Sequence, residues 1–596
     1  MKKAMENYKN HKIKILLFVF VFIAFGFGNV LAAKAFSEGE LRKFYIDSSY
    51  DLYAREEINA ELIRTTGSLY FYIEKSWWDS RSSEQQNSVR IALFDLGEEF
   101  KNKIYPVLIS NFGQEWKPGI DGDERITVLL HPMGGDKAGY FRTNDEYSKF
   151  QAYDSNEREM VYLNSEFIAR SLAKSFLAHE FVHLITFNQK EKLRNVKEEV
   201  WLNEARAEYA PTLLGYDSEY QNSNLQRRVS EFLKNPSDPI TEWQGVSVDY
   251  GVLNLFTQYL VDHYGIAVLR DSLFSFETGI ASLNYALRKN GFQENFSQIF
   301  TNWTITVLVN DCSLAPLDSE HLTGLGNKYC YQNQNLKNLR IVPESNFLPT
   351  AAEISLSVYN QVKDWSAKWQ RIFGGKGNLT LTFNGDSRVR FAVPYVLCDY
   401  AEKCAVKFFN LNEKQKGEII ITEFGSKYSS LTLIPSVQQK MSGFSNSEPV
   451  YPFSWDARTK QLLNNDEELV RELLLQTSLL KAEIARVQAA INAILASRGQ
   501  TEIGTGPISC QRFENNLYFG MSNSLEVRCL QQFLKNQGQD IYPEGLITGN
   551  FLSLTKAAII RFQEKHASEI LVPLGLEKGT GYVGSMTRAK INQLIK

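Results

Sequence analysis

Two histidines four positions apart in an apolar run constrain the fold of this chain most. The run Leu177–Phe187 reads LAHEFVHLITF and contains His179 and His183. On an α-helix, residues four apart lie on one face. The spacing predicts a helix that ends near Phe187 and directs both imidazoles to the same side.

The segment before this helix predicts a strand and a cap. Met160–Leu163 is a short apolar run that predicts a strand. Asn164 or Ser165 follows it and is the predicted N-cap of the next helix.

The residue types around the two histidines are those of a hydrolytic metal site. Both rings can converge on one cation, and no cysteine is close in sequence to close a structural site. Glu180 is placed to act as the general base on water. Glu204, 21 positions after His183 in WLNEARAEYA, supplies a third ligand, and Glu208 one turn later is the candidate partner of a histidine Nδ1–H.

These motifs resemble those of a known family. HEFVH followed by WLNEARAEY is similar to the gluzincin metallopeptidases. The longer series GIDGDERITVLL, EREMVYLN, LAHEFVHLI and WLNEARAEYA resembles the hyicolysin-type bacterial metallopeptidases over roughly residues 45–305. The resemblance implies an α+β, mainly helical, zincin-like peptidase domain over 40–310.

The resemblance also implies roles for single residues. It implies one catalytic zinc ion at His179, His183 and Glu204, with Glu180 as the catalytic base. The family often has glycine after the ligand glutamate, where this chain has Ala205. Arg206 is less usual there and is a candidate to affect the cleft.

A later helical segment offers a donor for the oxyanion of peptide hydrolysis. The run VDYGVLNLFTQYLVDHYG contains Tyr250 and His263. It resembles a helix that follows the zinc motif in related peptidases, which favours Tyr250 as the oxyanion donor. We interpret His263 as a surface or packing residue.

A group of acidic residues precedes the predicted strand Ile126–Leu130. Asp121, Asp123 and Glu124 are compatible with calcium, but the run lacks the further ligands of an EF-hand loop. A hairpin turn is the favoured interpretation. His131, before Pro132, is predicted to lie in a loop and has no assigned role.

Length and composition indicate a multidomain globular protein. A chain of 596 residues predicts three or four domains, and residues 40–110 are expected to be helical. The formal net charge is -3 and the chain has no basic stripe, which argues against a nucleic-acid partner.

The N-terminus has the pattern of an export signal. Five lysines precede the apolar run Ile15–Phe27, and Ala32, Ala33 and Ala35 follow it. Residues 1–35 are predicted to be a signal peptide or, alternatively, an uncleaved membrane anchor. Either predicts a secreted or extracytoplasmic, surface-associated protein with bacterial-type export.

The cysteines fall into three local pairs, which in an exported chain predict three disulfides. The pairs are Cys312 with Cys330, Cys398 with Cys404, and Cys510 with Cys529.

Two further regions follow the predicted peptidase domain. Alternating runs such as GNLTLTF and GEIIITEF predict a β-sandwich over 311–455. Residues 460–500 predict a helix in which positions between Leu473 and Ile494 form a heptad seam. The seam fits a spacer, which we favour, a self-association helix over 466–497, or a helix packed on its own domain.

The C-terminal region, residues 508–596, resembles the peptidoglycan-binding-like three-helix domain. A Gly–Thr–Ala turn occurs near Gly549–Ala558 and again at Gly584–Ala589. The predicted core consists of Leu530, Phe533, Leu534, Ile559, Phe562, Ile591 and Leu594. The resemblance implies peptidoglycan as a candidate partner.

Three functions therefore compete. The leading prediction is an exported zinc endopeptidase that acts on protein or peptide substrates and is held at the cell wall. The alternatives are a non-catalytic surface-binding protein on a peptidase scaffold, and a peptidase whose substrate is the cross-link of the wall. A membrane is a predicted partner only if the N-terminal segment stays uncleaved.

Overall fold

The computed structural model describes residues 37–135, 137–314, 328–349, 353–460, 466–497, 512–521 and 524–595. The chain divides into two compact units, residues 1–498 and 499–596. The predicted signal segment and Cys510 lie outside the described residues. Among the described helices, none is long and apolar enough to cross a membrane.

The first unit begins with a six-stranded mixed sheet in the order β1-β2-β3-β4-β6-β5. Strands β3, β4 and β6 are parallel neighbours, and the other pairs are antiparallel. The strands are β1 (Leu41–Tyr45), β2 (Glu57–Thr65), β3 (Leu69–Glu74), β4 (Ile126–His131), β5 (Gly139–Tyr140) and β6 (Met160–Asn164).

The prediction that residues 40–110 are helical was wrong for their first half, which forms β1, β2 and β3. Strand β3 is buried along its whole length. Phe71 packs in the core on one face of the sheet and Tyr72 in the core on the other. A strand buried on both faces shows no polar alternation, so its sequence pattern resembles that of a buried helix.

Ten of the described helices pack on one face of this sheet and form the main core with it. They are α1 (Lys75–Asp79), α2 (Ser83–Glu99), α3 (Tyr105–Phe112), α4 (Ala173–Thr186), α5 (Val200–Leu213), α6 (Asn224–Phe232), α7 (Ser247–Tyr264), α8 (Ile266–Leu273), α9 (Gly279–Lys289) and α10 (Phe296–Val309). Local sequence sets their ends: Ser82 accepts a hydrogen bond from the Gln85 N–H at 3.3 Å in a capping box at the start of α2.

The two strands predicted before the histidine helix are confirmed as β4 and β6. The predicted N-cap of the histidine helix was wrong, because that helix begins later, at Ala173. Asn164 instead caps a short turn after β6, where its side chain accepts from the Glu166 N–H at 3.0 Å. The predicted hairpin was wrong, because β4 pairs with β3 and β6 in parallel. His131 is the last residue of β4, not part of a loop.

The acidic residues before β4 make local contacts that support a turn. Asp121 accepts from the Asp123 N–H at 2.9 Å, and Asp123 accepts from the Tyr70 hydroxyl at 2.8 Å.

The rest of the first unit is rich in β-structure. Nine strands form one sheet whose halves, of four and five strands, are joined between β15 and β16 by the single pair Phe424–Tyr428. Both halves contribute to one apolar core. The nine strands are β7 (Glu344–Leu348), β8 (Glu353–Lys363), β10 (Gln370–Gly374), β11 (Gly377–Gly385), β13 (Pro394–Asp399), β14 (Cys404–Phe408), β15 (Lys416–Phe424), β16 (Tyr428–Leu433) and β18 (Val450–Lys460). Outside this sheet, β12 (Phe391–Ala392) pairs with β17 (Ser436–Val437), and β9 (Ser366–Ala367) is a short strand between β8 and β10.

Two of the three predicted disulfides are confirmed. Cys312 and Cys330 are joined with an S–S distance of 1.95 Å, and Cys398 and Cys404 with one of 2.04 Å. Disulfides of this kind fit an oxidising, extracellular environment.

The predicted long helix is α11 (Asp466–Ser497). Glu483, on one face, is only 8% exposed and pairs with Arg371 of β10 and with Arg486. The predicted seam is on another face, where Ile484 is 57% and Ile491 44% exposed. The favoured spacer interpretation is therefore corrected, since the helix packs on its own unit through Glu483.

The second unit contains α12 (Leu525–Asn536), α13 (Ser553–Lys565), α14 (Ala567–Ile570) and α15 (Ser585–Leu594). Six of the seven predicted core residues are buried in one cluster. Leu594 is the exception, because it lies in the last turn of α15 and is 38% exposed.

A repeat of 32 residues organises this unit. Gln531 accepts from the N–H groups of Thr548 and Gly549 and donates to Thr555. Gln563 makes the same three contacts, displaced by 32 positions, with Thr580, Gly581 and Thr587. Gly549 is therefore equivalent to Gly581, and not to Gly584 as the sequence motif suggested.

Candidate metal centre

The two histidines of α4 face each other at the centre of the first unit. Their Nε2 atoms are 3.2 Å apart. The His179 Nδ1 lies 3.2 Å from Glu208 Oε1, and the His183 Nδ1 lies 3.1 Å from Asn203 Oδ1. Both of these partners accept hydrogen bonds, which assigns the proton of each ring to Nδ1. The Nε2 lone pairs therefore converge on one point.

Glu204 of α5 completes a triangle of acceptors around that point. Its Oε2 is 3.2 Å from His179 Nε2, and its Oε1 is 3.6 Å from His183 Nε2. Two ligands bound tetrahedrally at 2.0–2.1 Å from zinc are about 3.3 Å apart. Glu204 Oε2 is buried without a hydrogen-bond partner among the described residues. Two imidazoles and a carboxylate at these distances fit a zinc ion.

The charges of the protein groups alone are consistent with a cation site. Burial lowers the pKa of His179, but its contacts with Glu204 and Glu208 outweigh this and raise it to about 10. Burial raises the pKa of Glu204, yet the two histidines bring it below its ordinary value. The carboxylates therefore favour a positive charge beside His179 Nε2, which a proton supplies in the metal-free chain and a bound cation would supply in its place.

Glu180 opens onto the same centre. It belongs, with His179 and His183, to a group whose ligand atoms all lie within 4.8 Å of one another. Burial raises the pKa of Glu180 to about 8, with a lowering contribution from His179 and raising ones from Glu204 and Glu208. A carboxylate with a raised pKa can exchange protons near neutral pH.

Glu208 lies where the sequence predicted, one turn after Glu204, against the His179 ring. A charged partner of Glu208, the guanidinium of Arg228, comes from α6. Sequence reasoning missed Arg228, because nothing in its local pattern, 20 positions away, marks it as a partner.

Two tyrosines line the cleft beside the centre. Tyr250 of α7 has its ring centroid 6.3 Å from that of His179, and burial raises the pKa of its hydroxyl. Tyr50 was missed, since it lies in a loop far from the motifs. Burial and the charges of Glu180 and Glu204 raise the pKa of Tyr50 to about 12.

The cleft has two lobes that meet at the centre. Their volumes are about 110 and 240 Å³. Residues that line both lobes are Tyr50, Gly139, His179, Glu180 and Tyr250. Strand β5, which contains Gly139, is an edge of the six-stranded sheet. The centre thus lies where the two lobes adjoin, beside an edge of the six-stranded sheet.

The remaining candidates have structural roles. His263 packs on Tyr259 and its Nε2 is 2.7 Å from the Cys330 carbonyl oxygen, as a packing residue would be. His131 is fully buried between Asp51 and the Tyr140 hydroxyl, each at 3.1 Å. Arg206 was expected to affect the cleft, but it is fully buried and contacts Glu198 and Ser272.

Comparison with known proteins gives a partial match to a metalloprotease. No protein-family profile matches the chain. It is 28% identical over 191 residues to the neutral metalloprotease ShpI of Staphylococcus hyicus, which takes in 28% of this chain and 41% of that protein. The chain thus spans about two fifths of the relative's length.

Two solved structures show only slight likeness. The pre-peptidase C-terminal domain of a collagenase from Bacillus anthracis matches at 13% identity and a TM-score of 0.13, over 19% of this chain and 96% of that one. A family GH115 4-O-methyl-α-glucuronidase matches at 6% identity and a TM-score of 0.12, over 56% and 51%. At these scores neither bears on the fold.

Proposed function

We propose that this chain is an exported zinc-dependent endopeptidase. The observation that carries the proposal is the convergence of His179, His183 and Glu204, with Glu180 opening onto the same cleft. The partial homology to a neutral metalloprotease supports it independently of the geometry. The two disulfides support an extracellular location.

His179, His183 and Glu204 would hold the zinc ion. When bound, zinc supplies Lewis acidity: it lowers the pKa of water toward about 7 and polarises the scissile carbonyl. Glu208 and Asn203 fix the orientation of the histidine rings by accepting from their Nδ1–H groups.

Glu180 is the proposed general base. Its carboxylate accepts a proton from the attacking water and returns that proton to the leaving amine nitrogen. It is buried, 6% exposed, but lines both lobes of the cleft, so it reaches the space between them.

Tyr250 is the proposed oxyanion donor. It extends from α7 to the side of the His179 ring and lines both lobes. Its raised pKa keeps the hydroxyl protonated, and a protonated hydroxyl can donate to the oxygen on which negative charge develops.

The shape of the cleft supports cleavage within a peptide rather than at its end. The centre lies where two lobes meet, so substrate residues can extend in both directions. The edge strand β5 offers unpaired backbone groups to an extended peptide.

The second unit supports a location at the cell wall. Its helices and buried core agree with the resemblance to peptidoglycan-binding-like domains. Full-length protein should sediment with purified sacculi, and a chain ending at residue 498 should not. Equal retention of both would refute this part of the proposal.

The experiment for the main proposal is metal removal and return. The purified protein should contain one zinc ion and cleave casein. Chelation should abolish cleavage, and added zinc should restore it. A protein that binds no zinc, or that cleaves equally well after complete zinc removal, would refute the enzyme and favour a non-catalytic binding protein.

A further inference from the structure

Arg228 and Glu208 form a two-pronged ion pair directly behind His179. The Arg228 Nε donates to Glu208 Oε2 at 2.7 Å, and Nη2 donates to Oε1 at 2.6 Å. The same Oε1 lies 3.2 Å from His179 Nδ1. A continuous chain of hydrogen bonds therefore links the guanidinium on α6 to a proposed metal ligand on α4.

This ion pair is nearly removed from solvent. Arg228 is 6% and Glu208 1% exposed. Asn224 also donates to Glu208 Oε2 at 3.2 Å, and Glu231 accepts from Arg228 Nη1 at 2.8 Å. The guanidinium is thus held on three of its nitrogens, a planar arrangement that a lysine ammonium cannot reproduce.

Arg228 also contacts the proposed oxyanion donor. Its Cζ is 4.4 Å from the centroid of the Tyr250 ring, and the edge of Trp243 packs against the same ring with centroids 4.8 Å apart. A cation over an aromatic face is attractive, and more so when both are desolvated.

Gly251 fixes the register of the two helices that carry Arg228 and Tyr250. A Cβ at residue 251 would stand 2.5 Å from the Phe232 nitrogen and 3.1 Å from the Arg228 carbonyl oxygen. Helices α6 and α7 therefore meet backbone to backbone at this point, which places the guanidinium and the phenol ring together.

We infer that Arg228 is a positioning residue that orients His179 through Glu208 and holds the Tyr250 ring over the centre. This inference rests on the proposed function. One arginine thereby couples a metal ligand to a wall of the cleft. Its positive charge also balances Glu208, which must be anionic to accept from the His179 Nδ1–H.

The test compares three variants of the full chain. Arg228→Met removes both the positive charge and the planar set of hydrogen-bond donors, and Arg228→Lys keeps only the charge. Arg158→Met is the control, because Arg158 is equally buried at 3% exposure but donates to Thr127, away from the cleft. The readouts are the zinc dissociation constant from chelator competition, the melting temperature, and kcat and KM at saturating zinc.

Arg228→Met should weaken zinc binding by about 10–100-fold, the usual loss when a partner behind a ligand is removed. At saturating zinc its kcat should fall while KM stays close to wild type. Arg228→Lys should lie between Arg228→Met and wild type. Arg158→Met should lower the melting temperature and leave zinc binding unchanged.

Unchanged zinc binding in folded Arg228→Met would overturn the inference, and so would an equal loss in Arg158→Met. If Arg228→Met does not fold, the test rests on Arg228→Lys. Zinc binding by Arg228→Lys that equals that of wild type would overturn the role of the planar guanidinium. A wild-type protein without zinc or cleavage would instead refute the proposed function.

Discussion

Glu180 and Gly139 are in direct contact. A Cβ at residue 139 would stand 2.8 Å from Glu180 Oε1 and 2.7 Å from the Tyr162 carbonyl oxygen. A backbone oxygen cannot rotate away, so a side chain at residue 139 would move either β5 or the Glu180 carboxylate. Only glycine at residue 139 therefore leaves room for both the edge strand β5 and the carboxylate of the proposed base.

Gly139→Ala should reduce kcat by roughly 10²-fold, the cost of displacing a catalytic group by about 1 Å. Zinc content should stay at the wild-type level, because the atoms nearest to a Cβ at residue 139 belong to Tyr162 and Glu180 and to none of the three proposed ligands. Steady-state kinetics and metal analysis measure both. Gly67→Ala is the matched control, since nothing lies within 4 Å of a Cβ there, and wild-type kcat in Gly139→Ala would refute the contact's role.

Glu204→Gln should weaken zinc binding by more than roughly 10–100-fold, which is the loss expected when a residue that hydrogen-bonds to a ligand is replaced. The amide keeps one oxygen acceptor but loses the negative charge that lies 3.2 Å from His179 Nε2. Chelator competition measures the dissociation constant. Zinc binding as tight as in wild type would exclude Glu204 as a ligand.

How much of the site could be predicted from the sequence depends on how far apart its residues lie along the chain. His179, Glu180 and His183 share two turns of one helix, and Glu204 and Glu208 share another, so periodicity identifies them. Tyr50, Gly139 and Arg228 come from three separate segments that only the fold brings together. Strand β3 was missed for a different reason, because burial on both of its faces removes the polar alternation that marks a strand.

A buried pair of acids should make the first unit less stable as pH rises. Both Glu146 oxygens and Glu159 Oε2 are buried without a hydrogen-bond partner among the described residues. Burial, and after it the charge of Glu159, raise the pKa of Glu146 well above its ordinary value. Burial raises the pKa of Glu159 to about 7. The folded chain then binds more protons than the unfolded chain between pH about 4.5 and 7, so its stability falls across that window.

Glu146→Gln should therefore gain stability relative to wild type as the pH rises toward 8, because the amide cannot ionise. At pH 5, where the wild-type pair is protonated, the gain should shrink. Urea unfolding at both pH values measures it. A gain of equal size at pH 5 and pH 8 would rule out titration of this pair as the cause.

The exposed seam of α11 should pair with the seam of a second copy. Ile484 and Ile491 stand at one heptad position and Leu480 at the other, a combination that favours two-stranded coiled coils. Sedimentation of the full chain should show a dimer that Ile484→Glu dissociates. Ala485→Glu, one position outside the seam and also exposed, should leave the dimer intact, and a monomeric wild type would refute the pairing.

The most direct test of the central claim is a comparison of wild type with Glu180→Gln. Glutamine cannot accept the proton of the attacking water, whereas the proposed ligands His179, His183 and Glu204 stay in place. The variant should keep one zinc ion per chain and lose about 10²–10⁴-fold in kcat on casein peptides, while Glu84→Gln on the exposed start of α2 behaves as wild type. Cleavage by zinc-loaded Glu180→Gln at the wild-type rate would contradict the account.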